Sequence, residues 1–184
     1  MRNIIMYRKI YFVCFVMLFG LAGCVHTIRA PFGSDPDGDG DAKGAVHFAL
    51  TRPATGRRVF IYDPTAHAWA AYDESGNRKN TGRASGGKPY CPDIGRSCRT
   101  TIGQYRIFKK GDSSCVSSQY PVATHGGAPM PYCMYFHPKG YAIHGTANVP
   151  DFYNSHGCIG VTEPAAEWLH DFLPIGSTVL VRHY

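Results

Sequence analysis

Short apolar stretches recur from about residue 46 onward, and turn-forming residues separate these stretches at close intervals. This arrangement, together with frequent aromatic side chains, is typical of a β protein. The pattern predicts strands at residues 59–62, 69–72, 103–108 and 178–181. It also predicts a hairpin in which residues 134–136 and 141–143 flank a turn at residues 137–140.

One segment has helical spacing instead. Ala165, Trp168, Leu169 and Phe172 fall on a single helical face, and Pro164 suits the first turn of a helix. Residues 46–184 are therefore expected to form one domain that is mostly β with one short C-terminal helix. The pattern specifies no oligomeric state.

The first 23 residues form a different pattern. Arg2, Arg8 and Lys9 precede a nearly unbroken apolar run over residues 10–21, which is shorter than the roughly 20 residues that a membrane-spanning helix needs. This order predicts an export signal peptide. Leu-Ala-Gly-Cys at residues 21–24 then resembles the bacterial lipobox, which implies a lipid on Cys24. By the same resemblance Val25 favours the outer membrane of a two-membrane bacterium, with the domain on its periplasmic side.

Residues 24–45 are rich in Gly, Asp and Pro and are expected to form a flexible tether. The chain carries a net charge of +6, and the predicted signal contains three positive and no negative residues, so +3 remains after its removal. This modest charge suits a protein that works beside an anionic polymer. No Lys/Arg cluster with interleaved aromatics is present, so nucleic acid is not an expected partner.

The chain has seven cysteines, and five remain once Cys14 leaves with the signal and Cys24 carries lipid. An exported protein folds in an oxidising compartment, where cysteines tend to pair. Four of the five are therefore expected to form two disulfides, with three possible connectivities. If Cys91, Cys98, Cys115 and Cys133 pair, Cys158 is the free thiol. Counting leaves open the alternative that Cys158 pairs and another cysteine stays free.

Chemistry is concentrated in two stretches, residues 141–146 (YAIHGT) and residues 155–159 (SHGCI). A nucleophilic cysteine needs its proton removed or its pKa lowered, and a nearby histidine, His144 or His156, is expected to do both. Gly157 predicts a sharp turn that exposes Cys158 and directs backbone N–H groups at a reacting carbonyl. Ser155 or a backbone carbonyl is expected to orient the imidazole that acts.

These stretches are similar to the L,D-transpeptidase (YkuD-type) catalytic domain, whose motif is a histidine, a spacer and Ser/Thr-His-Gly-Cys. The resemblance covers about residues 46–184 and extends to residues 85–87 (SGG), 98–107 (CRTTIGQYRI) and 126–132 (GGAPMPY). The stretch GGAPMPYCM is especially similar to a subgroup called enhanced-entry proteins. The implied fold is a β-sandwich-like domain with the thiol facing a cleft.

The resemblance implies that Cys158 is the nucleophile and His144 its general base, with Gly145 holding that base. Ser155, His156 and Gly157 would shape the pocket and oxyanion site, and Tyr132 is expected to line the cleft. The implied reaction is attack on a peptidoglycan stem peptide next to its terminal D-Ala, through a Cys158 thioester. No metal or organic cofactor is implied.

The chain departs from the family pattern at Gly160, where Asn or Arg is usual. A glycine is unable to clamp a substrate carboxylate as an arginine does. Recognition of the donor is then expected to move to another cation, for which Arg96, Arg99 and Arg106 are candidates. Two alternatives to transpeptidation stay open: hydrolysis by the same residues, as a carboxypeptidase or amidase, and a non-catalytic wall-binding lipoprotein.

Overall fold

Nine strands and one α-helix occur within residues 47–184, the part of the chain that this computed structural model describes. The predicted signal peptide, Cys24 and the whole predicted tether lie outside the described residues. The elements are β1 (Val59–Asp63), β2 (Ala68–Tyr72), β3 (Arg78–Arg83), β4 (Gly103–Arg106), β5 (Lys109–Lys110), β6 (Met134–His137), β7 (Tyr141–Thr146), β8 (Ile159–Thr162), α1 (Glu163–Phe172) and β9 (Thr178–Val181). A short 3-10 helix covers Val122–Thr124.

The strands form two sheets. The first has the order β3-β2-β1-β9-β4, and β1 and β9 are its parallel pair. The second has the order β5-β6-β7-β8, and β7 and β8 are its parallel pair. Parallel neighbours require a connection that crosses over rather than a tight hairpin, so the segment between β7 and β8 is a loop, and the predicted catalytic motif lies at its end.

The two sheets and α1 share one core. Phe60 and Tyr62 of β1 face the same apolar cluster as Ile143 of β7, Ile159 of β8 and Leu169 of α1, and all five are essentially inaccessible to solvent. The alternate residues of β1, Val59 and Ile61, pack into a second cluster on the opposite face of the first sheet. This arrangement follows from the two-residue period of a strand, and it confirms the expected fold class.

Most predicted elements are confirmed. The structure contains the predicted helix, the predicted hairpin around residues 137–140, and the strands predicted at 59–62, 69–72 and 178–181. Each observed boundary lies within three residues of the predicted one. The strand predicted at 103–108 ends at Arg106, because Ile107 turns into the core and its N–H donates to the Ser177 carbonyl. Three strands, β3, β5 and β8, were not predicted.

The helix and β7 approach each other closely at a glycine. Thr162 caps the helix by accepting a hydrogen bond from the Ala165 N–H, and Pro164 lies in the first turn, as expected. A Cβ on Gly145 would come within 3.0 Å of the Glu163 Cα and 3.3 Å of the Ala166 Cβ. Glycine at 145 therefore allows α1 to pack directly on the strand that carries His144.

The structure contains two disulfides and shows which cysteines pair, a question that the sequence left open. Cys91 pairs with Cys98 and Cys115 with Cys133, with Cα–Cα distances of 5.9 and 6.1 Å, and Cys158 is free. We call residues 91–98 the first stapled loop and residues 115–133 the second stapled loop. No helix within residues 47–184 combines the length and the apolar character needed to cross a membrane.

Candidate active site

The register of β7 and β8 brings His144 and Cys158 together. Ile143 pairs with Ile159 and His144 with Gly160, and both isoleucines point into the core. Since successive residues of a strand point to opposite faces, His144 and Cys158, which directly precedes β8, both point away from the core. Both side chains line the same cavity.

Cys158 follows a sharp turn that its own motif closes. The Ser155 hydroxyl donates to the Cys158 carbonyl at 2.6 Å and accepts from the Gly157 N–H at 3.1 Å. Gly157 has a φ of +125°, and a Cβ at this position would lie 2.3 Å from the Tyr141 ring. The turn predicted at Gly157 is therefore confirmed, and Ser155 orients the turn rather than an imidazole.

A second segment holds this turn against the sheet. Ser85 and Gly160 exchange two backbone hydrogen bonds of 2.9 and 2.8 Å. The Gly86 carbonyl accepts from the Ser155 N–H at 3.1 Å, and the Lys88 N–H donates to the Ser155 carbonyl at 2.9 Å. The SGG stretch noted in the sequence therefore runs beside the motif and fixes its backbone.

His144 is held as a neutral base. Its Nδ1 lies 2.8 Å from the Gly145 carbonyl oxygen, which only accepts hydrogen bonds, so Nδ1 carries the proton and Nε2 has a free lone pair. Burial lowers the pKa of His144, and the Gly145 hydrogen bond opposes this shift. The predicted role of Gly145 in holding the base thus has a direct structural basis, through its carbonyl.

The Cys158 thiol is protonated at rest. Burial raises its pKa to about 11, and a hydrogen bond from the Ala142 backbone N–H opposes the shift. The expectation that a neighbouring histidine lowers this pKa is wrong for the resting site, because removal of solvent disfavours the thiolate more than any nearby group favours it. In the resting site the pair is therefore a thiol and a neutral imidazole.

A model of the L,D-transpeptidase catalytic domain, YkuD, matches residues 56–181, more than half of the chain. The chain belongs to this family. The matched range includes His144, the turn at residues 155–158 and both stapled loops.

Solved structures similar to this family member include three L,D-transpeptidases. One from Xylanimonas cellulosilytica has 26% sequence identity and a TM-score of 0.60, covering 75% of this chain and 66% of that chain. One from Mycobacterium tuberculosis has 19% identity and a TM-score of 0.58, covering 69% and 58%. L,D-transpeptidase 3 from Mycobacterium tuberculosis, in complex with a faropenem-derived adduct, has 21% identity and a TM-score of 0.58, covering 69% and 60%.

The chain therefore spans about two thirds or less of the length of these structures. At these identities the two mycobacterial structures support the fold alone. No curated protein matches the sequence at a significant level.

His156 lies in a different setting from His144. It lines the cavity, but its Nε2 is 2.8 Å from Asp93 Oδ2, and its ring stacks on Tyr120 with a centroid distance of 4.1 Å. Asp93 belongs to the first stapled loop and Tyr120 to the second. His156 thus connects the two loops at the cavity wall, an arrangement that suits a positioning role beside the predicted catalytic one.

Some predicted residues lie elsewhere. Tyr132 is not among the described residues that line the cavity, because its hydroxyl donates to Glu167 at 2.9 Å and its ring meets the edge of His170. Tyr135 does line the cavity. The candidate cations Arg96, Arg99 and Arg106 do not line it either; Arg99, for example, lies over the Tyr184 ring.

Three residues at the site were missed by sequence reasoning. Tyr120 and Lys139 line the cavity, and Asp93 lies behind its wall as the partner of His156. Asp93 lies between two cysteines separated by seven positions, and Lys139 lies in the predicted hairpin turn. The sequence signals that could have pointed to them were the short loop between Cys91 and Cys98 for Asp93 and the turn before YAIHGT for Lys139. Neither indicates by itself which side chain reaches the site.

We expect the rate of Cys158 alkylation by iodoacetamide to keep rising by about tenfold per pH unit well beyond the range of an ordinary thiol, near 8.5. The reason is that a thiol with a pKa of about 11 has little thiolate below that pH. Labelling of the Cys158 peptide, followed by mass spectrometry, measures the rate. The urea-unfolded chain is the control and should level off near the ordinary value. A plateau near neutral pH in the folded protein would contradict the neutral pair.

We expect Gly157→Ala to lose both stability and labelling of Cys158. The new methyl would meet the Tyr141 ring at 2.3 Å at a φ of +125°. Gly176→Ala is the matched control, since Gly176 has a φ of +91° but nothing within 4 Å of the point that a methyl would occupy, and backbone strain alone costs roughly 1–3 kcal/mol. Urea unfolding and the alkylation rate are measured together. Equal losses in the two variants would remove the contact argument.

Proposed function

We propose that the chain is an L,D-transpeptidase that acts on peptidoglycan stem peptides through a Cys158 thioester. The observation that carries the proposal is the pairing of a free thiol with a neutral imidazole on one face of adjacent parallel strands, in one cavity. Family membership supports the same chemistry.

In the first half-reaction the Cys158 sulfur attacks the carbonyl that joins the L-centre of the diamino acid to the terminal D-Ala. The thiol proton passes to His144 Nε2, the nitrogen left free by the Gly145 hydrogen bond. The imidazolium then gives this proton to the amine of the departing D-Ala. The C–N bond breaks, and the acyl group remains on sulfur as a thioester.

In the second half-reaction an amine of a neighbouring stem attacks the thioester. His144 accepts a proton from this amine and returns one to the departing sulfur, so the enzyme regains its thiol. If water replaces the amine, the product is a trimmed stem and the enzyme is a carboxypeptidase. The products therefore distinguish the two activities.

A neutral resting pair suits this sequence of steps. Charge separation appears only when the substrate is in place, so interactions that stabilise charge act on the transition state and not on the free enzyme. The free thiol is also less exposed to oxidation when it is protonated, because the thiolate is the reactive form. Both effects follow from the burial that raises the pKa of Cys158.

We also propose that a lipid on Cys24 anchors the enzyme to the periplasmic side of the outer membrane, with residues 25–45 as the tether. The lipobox-like residues 21–24 and Val25 support this location. Placement in the enhanced-entry subgroup is supported by GGAPMPYCM, which closes the second stapled loop, and a phylogenetic tree of the family would test it.

We expect a carbapenem or penem to add its mass once to the full-length protein, on Cys158. Cys158→Ala should take up none, and His144→Ala should be acylated about 10²- to 10⁴-fold more slowly because a general base contributes that much. His183→Ala, which changes an exposed histidine outside the cavity, is the control. Intact-protein mass spectrometry measures the adduct.

The same proteins are then incubated with purified sacculi, and the muropeptides are analysed by mass. Cross-linked dimers that depend on Cys158 support transpeptidation, and trimmed monomers alone support the hydrolase. If neither product is formed and Cys158 takes up no adduct, the protein is a non-catalytic wall-binding protein and the proposal is overturned.

We expect Cys24→Ala to abolish partitioning of the mature protein into a detergent phase, because the acyl chains are lost. Cys14→Ala, which lies inside the predicted signal, should partition as the wild type does. The mass of the mature N-terminal peptide reports the lipid directly. An unmodified Cys24 in the exported protein would overturn the anchor.

A further inference from the structure

The cavity at Cys158 has an asymmetric charge. Among the described residues that line it there is no Asp or Glu, and the only Lys or Arg is Lys139. The other polar groups are the Cys158 thiol, the rings of His144 and His156, and neutral amides and hydroxyls such as those of Gln119 and Asn148. Such a cavity favours an anionic ligand over a cationic one.

The backbone of Lys139 is held firmly in the β6–β7 turn. Its N–H donates to His137 Nδ1 at 3.1 Å, and the Gly140 N–H closes the turn on the His137 carbonyl at 2.9 Å. The His137 ring stacks on Tyr141 with a centroid distance of 5.0 Å. The side chain of Lys139 is exposed, so the turn fixes its origin while the ammonium stays accessible.

This turn lies beside the nucleophile. The Gly140 carbonyl oxygen is 4.0 Å from the Cys158 sulfur, and the Tyr141 ring packs where a side chain at Gly157 would have to lie. Lys139 is thus one residue from the backbone carbonyl that contacts the reacting sulfur. When the carbonyl carbon of a ligand contacts the Cys158 sulfur, the groups next to that carbonyl lie in the cavity that Lys139 also lines.

The Lys139 ammonium has no carboxylate partner among residues 47–184. The ion pairs of this region involve other cations, such as Lys79, which lies 3.1 Å from Asp73. Lys139 lines a cavity whose described lining contains no Asp or Glu, and it makes no ion pair with the described residues. Its ammonium is therefore available to a ligand. Gly160, which also lines the cavity, contributes no polar side chain.

We infer that Lys139 is a specificity-determining residue that binds a carboxylate of the donor peptide beside Cys158. The inference rests on the proposed function for the identity of the donor. In a stem peptide this carboxylate is either that of the terminal D-residue or the free carboxylate of the diamino acid. The shared chemistry is a carboxylate close to the scissile carbonyl.

The first test does not depend on the natural substrate. Iodoacetate and iodoacetamide alkylate the same sulfur but differ in charge, so their rate ratio at Cys158 reports the local cation. We expect Lys139→Gln to lower the iodoacetate-to-iodoacetamide ratio by about fivefold, the size of a solvent-accessible ion pair, and Lys139→Glu to lower it further. Lys139→Arg should restore it.

The matched control is Lys79→Gln, which removes the same charge at a residue that does not line the cavity. Its ratio should equal that of the wild type. Site-specific labelling of the Cys158 peptide in the full-length protein is measured, and near-ultraviolet circular dichroism checks that each variant is folded. An unchanged ratio in folded Lys139→Gln would overturn the inference, and this outcome is readable even if no donor is turned over.

The second test identifies the carboxylate. Donor tetrapeptides are prepared unmodified, as the terminal D-alaninamide, and with the diamino acid amidated. Lys139→Gln should raise KM several-fold for the unmodified donor with little change in kcat. Amidation of the carboxylate that Lys139 binds should raise the wild-type KM and abolish the difference between wild type and variant. A KM difference that survives both amidations would overturn carboxylate recognition, whereas a complete lack of turnover by the wild type would count against the proposed function instead.

Discussion

Parallel pairing of β7 with β8 is the constraint on which the site depends. Ile143 and Ile159 are locked face to face in the core, and the strand period then leaves no choice about where His144 and Cys158 point. A slip of one residue would bury the base and expose the isoleucine. Because the core is shared with the first sheet and α1, the positions of His144 and Cys158 depend on the packing of the whole domain, together with residues 85–88, which hold the turn before β8.

Burial also determines the resting protonation state of Cys158 and His144. The same packing that positions the sulfur removes water from it, so the thiol keeps its proton and the imidazole stays neutral. One backbone carbonyl, that of Gly145, sets which nitrogen of His144 is available. Gly145 also permits the close approach of α1. Gly145 therefore serves both the packing of α1 and the orientation of the His144 ring, and a side chain there would disturb the packing.

The two stapled loops complete the cavity without belonging to the sheets. Their disulfides shorten what would otherwise be long, weakly packed segments, and each loop delivers one residue to His156. The charge of the cavity, in contrast, comes from the β6–β7 turn through Lys139. The residues that line the cavity therefore come from the second sheet and from loops between strands.

The sequence by itself determined the features that depend on neighbouring residues. Short apolar stretches bounded by turn residues predicted β1, β2 and β9, and the spacing of Ala165 to Phe172 predicted the helix. The SHGC and YAIHGT stretches indicated the family to which the chain belongs. The sequence missed β3, whose polar residues RKNTGR show no alternation, and β8, which directly follows the motif. Only the tertiary structure decided which cysteines pair, that Tyr132 turns to Glu167, that Asp93 meets His156, and that burial keeps Cys158 protonated. The physical reason is that hydrogen bonds, ion pairs and desolvation depend on groups far apart in the chain, whereas the period of a strand or helix is a property of adjacent residues.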